Sequence, residues 1–558
     1  MAIPTAKGLQ PDLADPVLQT SGGPNVSATV TQNFDGIPSD GFAPPDTNGA
    51  AGLTQYVQMV NVDFAVYSKT GMLLLGPAPI HTLWAGFGGP CTTNDGGDPI
   101  VNYDRIADRW VISQLEYSFP FGPFSTCVAV STTSDATGTY NRYQFTYTNF
   151  NDYPKIGVWP DAYYASYNMF NGVTGAFLGS QACALDRSMM LVGSAATQIC
   201  FQLSPAFGGL LPSDLDGSTP PPVGSPNFYV NFGVNRLNLW KFHVDFTTPA
   251  NSTFTGPTAI PVASFTPLCI GFFRGQCVPQ PAPGATLESL GNRLMYRLAY
   301  RNFQTHEALV TNHSISTGAR WYELRDPNGA VTVYQSGTFS PDASTRWMGS
   351  IAMDRSSDIA LGYSVSSSTL FPDIRYTGRE PGDPLGMLQT EAIIFAGLGS
   401  QVGTGHRWGD YSAMQIDPVD DCTFWYTNQY EPATGAFNWH TRIASFKFPN
   451  CCPPPVIGDA SASPDILWPP NHKFVDVTIG YAETSDCPST CALSVTSNEP
   501  GPDEWVVVDA HHVLLRAERD GNGSGRTYTI TITCSNSGGT TTRTLMVVVP
   551  HDQSGAKK

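Results

Sequence analysis

A loosely repeated pattern, present seven times in the first 450 residues of this 558-residue chain, constrains the fold more than any other feature. In each copy a polar or acidic lead-in precedes a strand of small residues, a turn and an aromatic-rich strand. Pro44-Pro45-Asp46 leads to Tyr56-Val57-Gln58-Met59-Val60, Gly97-Asp98-Pro99 to Arg109-Trp110-Val111-Ile112, and Tyr153-Pro154-Lys155 to Tyr163-Tyr164-Ala165. Asp214-Leu215-Asp216 and Leu287-Glu288-Ser289 begin the fourth and fifth copies. The sixth and seventh match each other best, through Arg346-Trp347-Met348-Gly349-Ser350 and Arg407-Trp408-Gly409-Asp410-Tyr411-Ser412. With Asp46, Asp98, Tyr153, Asp214, Glu288, Trp347 and Trp408 as markers, the spacings are 52, 55, 61, 74, 59 and 61 residues. Short β-branched and aromatic runs separated by Gly, Pro, Asn or Asp make each unit a four-stranded blade rather than a βαβ unit. The expected fold class is all-β: a seven-bladed β-propeller over residues 25–450, with six or eight blades as alternatives because the fourth copy is irregular. Almost no helix is expected. Residues 1–24 form an N-terminal extension, and the alternating segment Asn25–Thr31 could pair with the last blade and close the ring.

Past Cys451-Cys452-Pro453-Pro454-Pro455 the character changes, and residues 451–558 have the size and alternating runs of one immunoglobulin-like β-sandwich. Twelve cysteines lie in loop-like stretches with no paired CxxC modules, so they read as disulfides in an oxidising compartment. Only 13% of residues are charged and the net charge is −17, which disfavours nucleic acid and anionic membrane as partners. No apolar run of membrane-spanning length exists, and Met1-Ala2-Ile3-Pro4 opens onto a polar segment. The expectation is a secreted or cell-surface protein whose signal peptide has been removed.

The motifs Pro44-Pro45-Asp46-Thr47-Asn48-Gly49, Gly97-Asp98-Pro99-Ile100-Val101, Trp347-Met348-Gly349-Ser350-Ile351-Ala352, Arg407-Trp408-Gly409-Asp410-Tyr411-Ser412 and Leu467-Trp468-Pro469-Pro470-Asn471-His472-Lys473 extend over most of the chain. In them the sequence resembles a family of secreted bacterial proteins, mostly of unassigned function, in which a propeller precedes an immunoglobulin-like module. The resemblance implies fold and export and carries no activity. Ser134-Asp135-Ala136-Thr137-Gly138-Thr139-Tyr140 is similar to the aspartate-box hairpin of sialidase-type propellers, with altered spacing and Tyr for Trp. That box is a structural turn, so it supports a blade and no chemistry.

Lead-ins to the innermost strands of a propeller converge on one face around the central channel, whatever their distance in sequence. They present Asp46, Asp98, Asp214, Asp216, Glu288 and Asp410, with Lys155, Arg346, Arg407, Trp347 and Trp408 among them. Carboxylates and guanidinium groups bond sugar hydroxyls or uronates and indoles stack on pyranose faces, so an extracellular polysaccharide or cell-surface glycan is the expected partner. A glycoside hydrolase would use Glu288 as acid with Asp98 or Asp46 as partner carboxylate. Lys155, Arg346, Trp347, Arg407, Trp408, Asp410 and His306 would contact substrate. A polysaccharide lyase would draw on His306 or His313 with Arg297, Tyr300 and Arg301. The competing reading is a non-catalytic surface adhesin or scaffold resting on Trp347 and Trp408. No cofactor is required. Asn94-Asp95-Gly96-Gly97-Asp98 and Asp417, Asp420 and Asp421 are oxygen-rich turns that could hold structural calcium, without EF-hand spacing. No nucleophile elbow, P-loop or zincin motif occurs.

Overall fold

The computed structural model describes residues 14–552 apart from 119–121, 273, 274, 404, 500, 502, 503 and 537. Residues 1–13 of the expected extension therefore lie outside the described residues. The chain divides into two compact units, Met1–Pro449 and Asn450–Lys558. Both are built of small β-sheets, and the α-helix among the described residues is the single short turn Arg187–Leu191.

In the first unit, seven antiparallel four-stranded sheets follow one another along the described chain, each beginning with its most enclosed strand. Those first strands are Asn48–Ala51, Ile100–Asp104, Phe150–Val158, Leu211–Asp216, Met295–Asn302, Thr345–Met353 and Ala413–Ile416. Each neighbours the next, and Ala413–Ile416 returns to Asn48–Ala51, so the strands form a closed cycle. Between the fourth and fifth sheets the neighbours pair in parallel, from Ser213 opposite Leu298 to Asp216 opposite Arg301.

Crowding around this cycle explains the small residues that mark the repeats. A Cβ on Gly157 would lie 2.3 Å from the Ser213 carbonyl oxygen of the next sheet, and one on Gly362 would lie 2.6 Å from the Tyr426 ring. Further out, space is filled by large rings: Trp110, Trp159, Trp240, Trp321 and Trp439 are all buried. The Ser134–Tyr140 segment is a turn between Phe124–Ser131 and Tyr140–Tyr147. Its Asp135 accepts hydrogen bonds from Gln55 and from the Thr137 backbone, tying the first and second sheets.

The last sheet takes its outer strand from the beginning of the chain. Thr29–Pro38 pairs antiparallel with His440–Lys447, from Thr29 opposite Lys447 to Pro38 opposite His440. This strand begins four residues later than the segment expected to close the ring, because Asn25 instead bridges Thr390. Part of the expected extension is also structural, with Leu18–Gln19 pairing in parallel with Thr338 and Phe339.

The second unit packs two sheets. One contains Val456–Ser463, Phe474–Thr484, His512–Arg516 and Trp505–Val507; the other contains Thr490–Ser497, Gly525–Asn536 and Gly539–Pro550. Strict alternation puts Val477, Ile479, Val513, Leu515, Tyr528, Ile530, Ile532 and Val547 into one core. Every cysteine is disulfide-bonded. Cys91–Cys127, Cys183–Cys200 and Cys269–Cys277 staple the first unit, and Cys452–Cys487 and Cys491–Cys534 the second. Thiols held this way belong to an oxidising compartment, and no helix among the described residues is long and apolar enough to cross a membrane.

Deleting residues 1–38 removes the outer strand of the last sheet and leaves His440–Lys447 as a bare edge. The expected cost is on the order of 5 kcal/mol, from several lost ladder bonds of about 1 kcal/mol each. Calorimetry should show a lowered first-unit transition with concentration-dependent aggregation; an unchanged midpoint would mean that the cycle closes without this strand.

Candidate functional site

Lead-ins from five of the seven sheets meet at one end of the cycle. Ala43–Asp46, Gly96 and Asp98, Asp152–Tyr153, Arg293, and Arg407 with Asp410 wall a cavity of about 360 Å³. Phe42, Asn61, Leu115, Tyr117 and Phe150 complete its lining. The backbone turns sharply at the same place in several repeats: φ is +48° at Asp46, +49° at Asp98 and +58° at Tyr153. Aspartate tolerates this left-handed conformation better than most residues, and the turn aims each side chain at the centre before the strand begins.

Asp46 and Asp98 line the same wall, close enough for the charge of Asp98 to act on Asp46. Burial raises the Asp46 pKa well above the usual carboxylate range, helped by the charges of Asp410 and Asp98. Burial also raises Asp98, with Asp152 the leading like charge and Lys155 opposing it. Both carboxyl groups are positioned by backbone: Asp46 accepts from the Asp410 N–H at 2.8 Å, and Asp98 accepts from the Tyr153 N–H at 3.0 Å. Asp98 stays partly exposed to the cavity.

Arg407 closes the opposite side. Its Nε donates to Glu288, and its Nη2 donates to Asp410 Oδ1 at 2.5 Å. Glu288 is fully buried, with its own N–H bonded to the His406 carbonyl at 2.9 Å. It therefore braces Arg407 from behind and does not line the cavity.

Lys155 also lies behind the lining rather than in it. Its Nζ sits 3.6 Å from the Tyr153 ring centroid and 3.9 Å from that of Tyr411, and donates to the Pro154 carbonyl at 2.7 Å. Burial pushes its pKa down to about 7, against the pull of Asp98, Asp410 and Asp46. The expected direct contact between Lys155 and substrate is replaced by a buried cation under two tyrosine rings.

Other expected contacts prove to be packing. Trp347 and Trp408 are 1% and 0% exposed, with ring centroids 5.7 Å apart, so neither offers a face to a sugar. Arg346 is buried between Glu391 and Asp342. His306 sits at a hairpin turn, stacked 4.8 Å from Phe303 and outside the cavity lining. The residues expected around it go separate ways: Arg297 binds Asp214 at 2.8 Å and Asp216 at 2.5 Å, Arg301 binds Asp421 at 2.8 Å, and buried His313 meets Tyr322 at 3.0 Å. No single lyase constellation is assembled there.

The oxygen-rich turns are engaged by protein donors. Asp95 accepts from the backbone and ring of His81, Asp417 from Lys69 and Trp425, and Asp420 from the Cys422 and Thr423 backbone. Sequence reasoning missed Arg293, Asp152, Asn61 and the aromatic edge of Phe42 and Tyr117, which are 54% and 41% exposed. Arg293 and Asp152 lie near the repeat markers and carried a signal; Asn61 follows the second strand of its sheet and Tyr117 ends one, and they carried none.

No protein-family model matches the sequence, and no curated protein matches it. Similar solved structures include the phage phi92 endosialidase, with a TM-score of 0.36 at 8% identity over 76% of this chain and 69% of that one. The polysaccharide lyase Uly1 gives 0.31 at 8% identity over 61% and 88%. The α-L-arabinofuranosidase from Lactobacillus brevis gives 0.28 at 10% identity over 62% and 89%. Scores this low decide neither the details of the fold nor its chemistry.

The Lys155 environment yields a pH signature. The folded protein releases its proton near pH 7, whereas the unfolded chain keeps it to about pH 10.5, so stability rises with pH between those values. Lys155→Met should remove that slope and gain on the order of 2 kcal/mol over wild type at pH 6, with the gap shrinking by pH 9. Urea unfolding at both pH values measures it, and parallel curves for the two proteins would contradict the depressed lysine.

Proposed function

We propose that the first unit is a seven-bladed β-propeller, that the second is an immunoglobulin-like domain, and that the protein works outside the cell on a polysaccharide held in the cavity of the propeller face. The observation that carries this reading is the gathering of the Asp46, Asp98 and Asp152 carboxyl groups on the wall of one cavity, where burial raises the pKa of the first two. Glycosidic cleavage needs one carboxyl held protonated by its surroundings and a second beside the scissile bond. Asp98, partly exposed to the cavity, delivers a proton to the glycosidic oxygen as the C–O bond breaks. Asp152 acts on the anomeric carbon, by adding to it or by taking a proton from the attacking water. Phe42 and Tyr117 supply apolar faces for neighbouring sugar rings. Arg407 fixes Asp410, and Asp410 in turn holds Asp46 through its N–H. This chemistry calls for no cofactor.

The burial of Trp347 and Trp408 counts against an adhesin built on those two residues. A non-catalytic binding protein using the same cavity is the outcome to be separated by experiment. Neutral and uronic-acid polysaccharides should be incubated with the protein while reducing ends and unsaturated-uronate absorbance are followed. Reducing ends without the absorbance are expected, and Asp98→Asn should lower turnover about 10²–10⁴-fold while retaining binding and the thermal midpoint. Retention on a glycan with no product from wild type would replace the enzyme with a binding module, and silence in both assays would remove the glycan altogether.

A further inference from the structure

Arg293 stands apart from the other buried arginines. It is 4% exposed and lines the cavity, yet among the described residues no carboxylate meets its guanidinium. Its Nε donates to the Asn292 side chain at 3.0 Å, and its guanidinium carbon lies 4.5 Å from the Tyr153 ring centroid. Arg297, Arg301 and Arg346 each close on a carboxylate, and Arg379, without an ion pair among the described residues, donates to the Asp383 carbonyl. In the same cavity Arg407 holds two acids.

A buried charge without a counter-charge is costly, and a site that maintains one is commonly completed by its ligand. Among the described residues none of the acids that line the cavity, Asp46, Asp98, Asp152 and Asp410, is ion-paired with Arg293, and Asp410 is bound by Arg407. Stacking on Tyr153 holds the guanidinium, and a planar fork presented to a cavity is met bidentately by the two oxygens of a carboxylate, which a single hydroxyl cannot do. We infer that Arg293 is the receptor for a carboxylate on the substrate, so that the glycan bound in this cavity is a uronic-acid polymer.

This inference rests on the glycan reading of the cavity and can fail separately from it. Galacturonan, alginate and hyaluronan oligosaccharides, each beside its carboxyl-reduced counterpart and a sulfated galactan, should be titrated calorimetrically into wild type, Arg293→Gln and Arg293→Lys. At least one uronate oligomer should bind wild type about ten-fold or more tightly than its reduced form, with an affinity that falls as salt rises. Arg293→Gln should erase most of that preference, and Arg293→Lys should keep part of it. Thermal midpoints of the variants report whether they are folded, and the wild-type comparison of acid with reduced oligomer stands without them. A preference that survives Arg293→Gln, equal binding of reduced oligomers by wild type, or selection of the sulfated galactan alone would overturn the inference while leaving the glycan reading intact. Failure of every oligomer to bind would overturn both.

Discussion

Antiparallel pairing of Thr29–Pro38 with His440–Lys447 is the interaction on which the rest of the first unit depends. The seven first strands reach a closed cycle only if the last sheet is complete enough to hold Ala413–Ile416 against Asn48–Ala51. A missing outer strand would expose a ladder edge and loosen the contact between the last and first sheets. Because the two strands are some four hundred residues apart, closure joins the beginning of the unit to its end in a single contact, and the lead-ins keep their relative positions only while it holds.

Closure has an electrostatic consequence. Once the cycle is shut, the acidic lead-ins have nowhere to spread, and Asp46, Asp98, Asp152 and Asp410 face one small volume. The structure manages this repulsion in two ways: the Arg407 clamp on Asp410 and Glu288, and buried Lys155 behind Tyr153 and Tyr411. Lower in the same cycle the solution is ordinary ion pairing, as at Arg297 with Asp214 and Asp216. The two regions use the same residue types, and the difference is the supply of cations: Arg297 closes on Asp214 and Asp216, whereas Arg407 is divided between Glu288 and Asp410 at the cavity, where burial raises the pKa of Asp46 and Asp98.

Much of the site was legible in the repeats. Asp46, Asp98, Arg407 and Asp410 were readable because the lead-in position is topologically fixed and brings the backbone of each repeat to the centre. Trp347 and Trp408 occupy equivalent repeat positions and read as sugar platforms, but their rings turn into the packing between sheets. Repeat position locates a backbone site and leaves the rotamer open; the space available beside it decides whether a side chain faces solvent or core. Glu288 shows the same limit, since its strand position was apparent while the Arg407 contact that buries it was not.

The sequence by itself determined an all-β chain of two units, the seven repeats, the oxidised cysteines and the lead-ins that would carry polar groups, because these follow from local composition and short-range periodicity. Only the tertiary structure decided which acids crowd into one cavity, which cations are consumed by ion pairs, and that Arg293 reaches the cavity without a carboxylate partner among the described residues. Those properties depend on distances of a few ångströms between residues from separate sheets, and on burial, which multiplies the energy of each such contact.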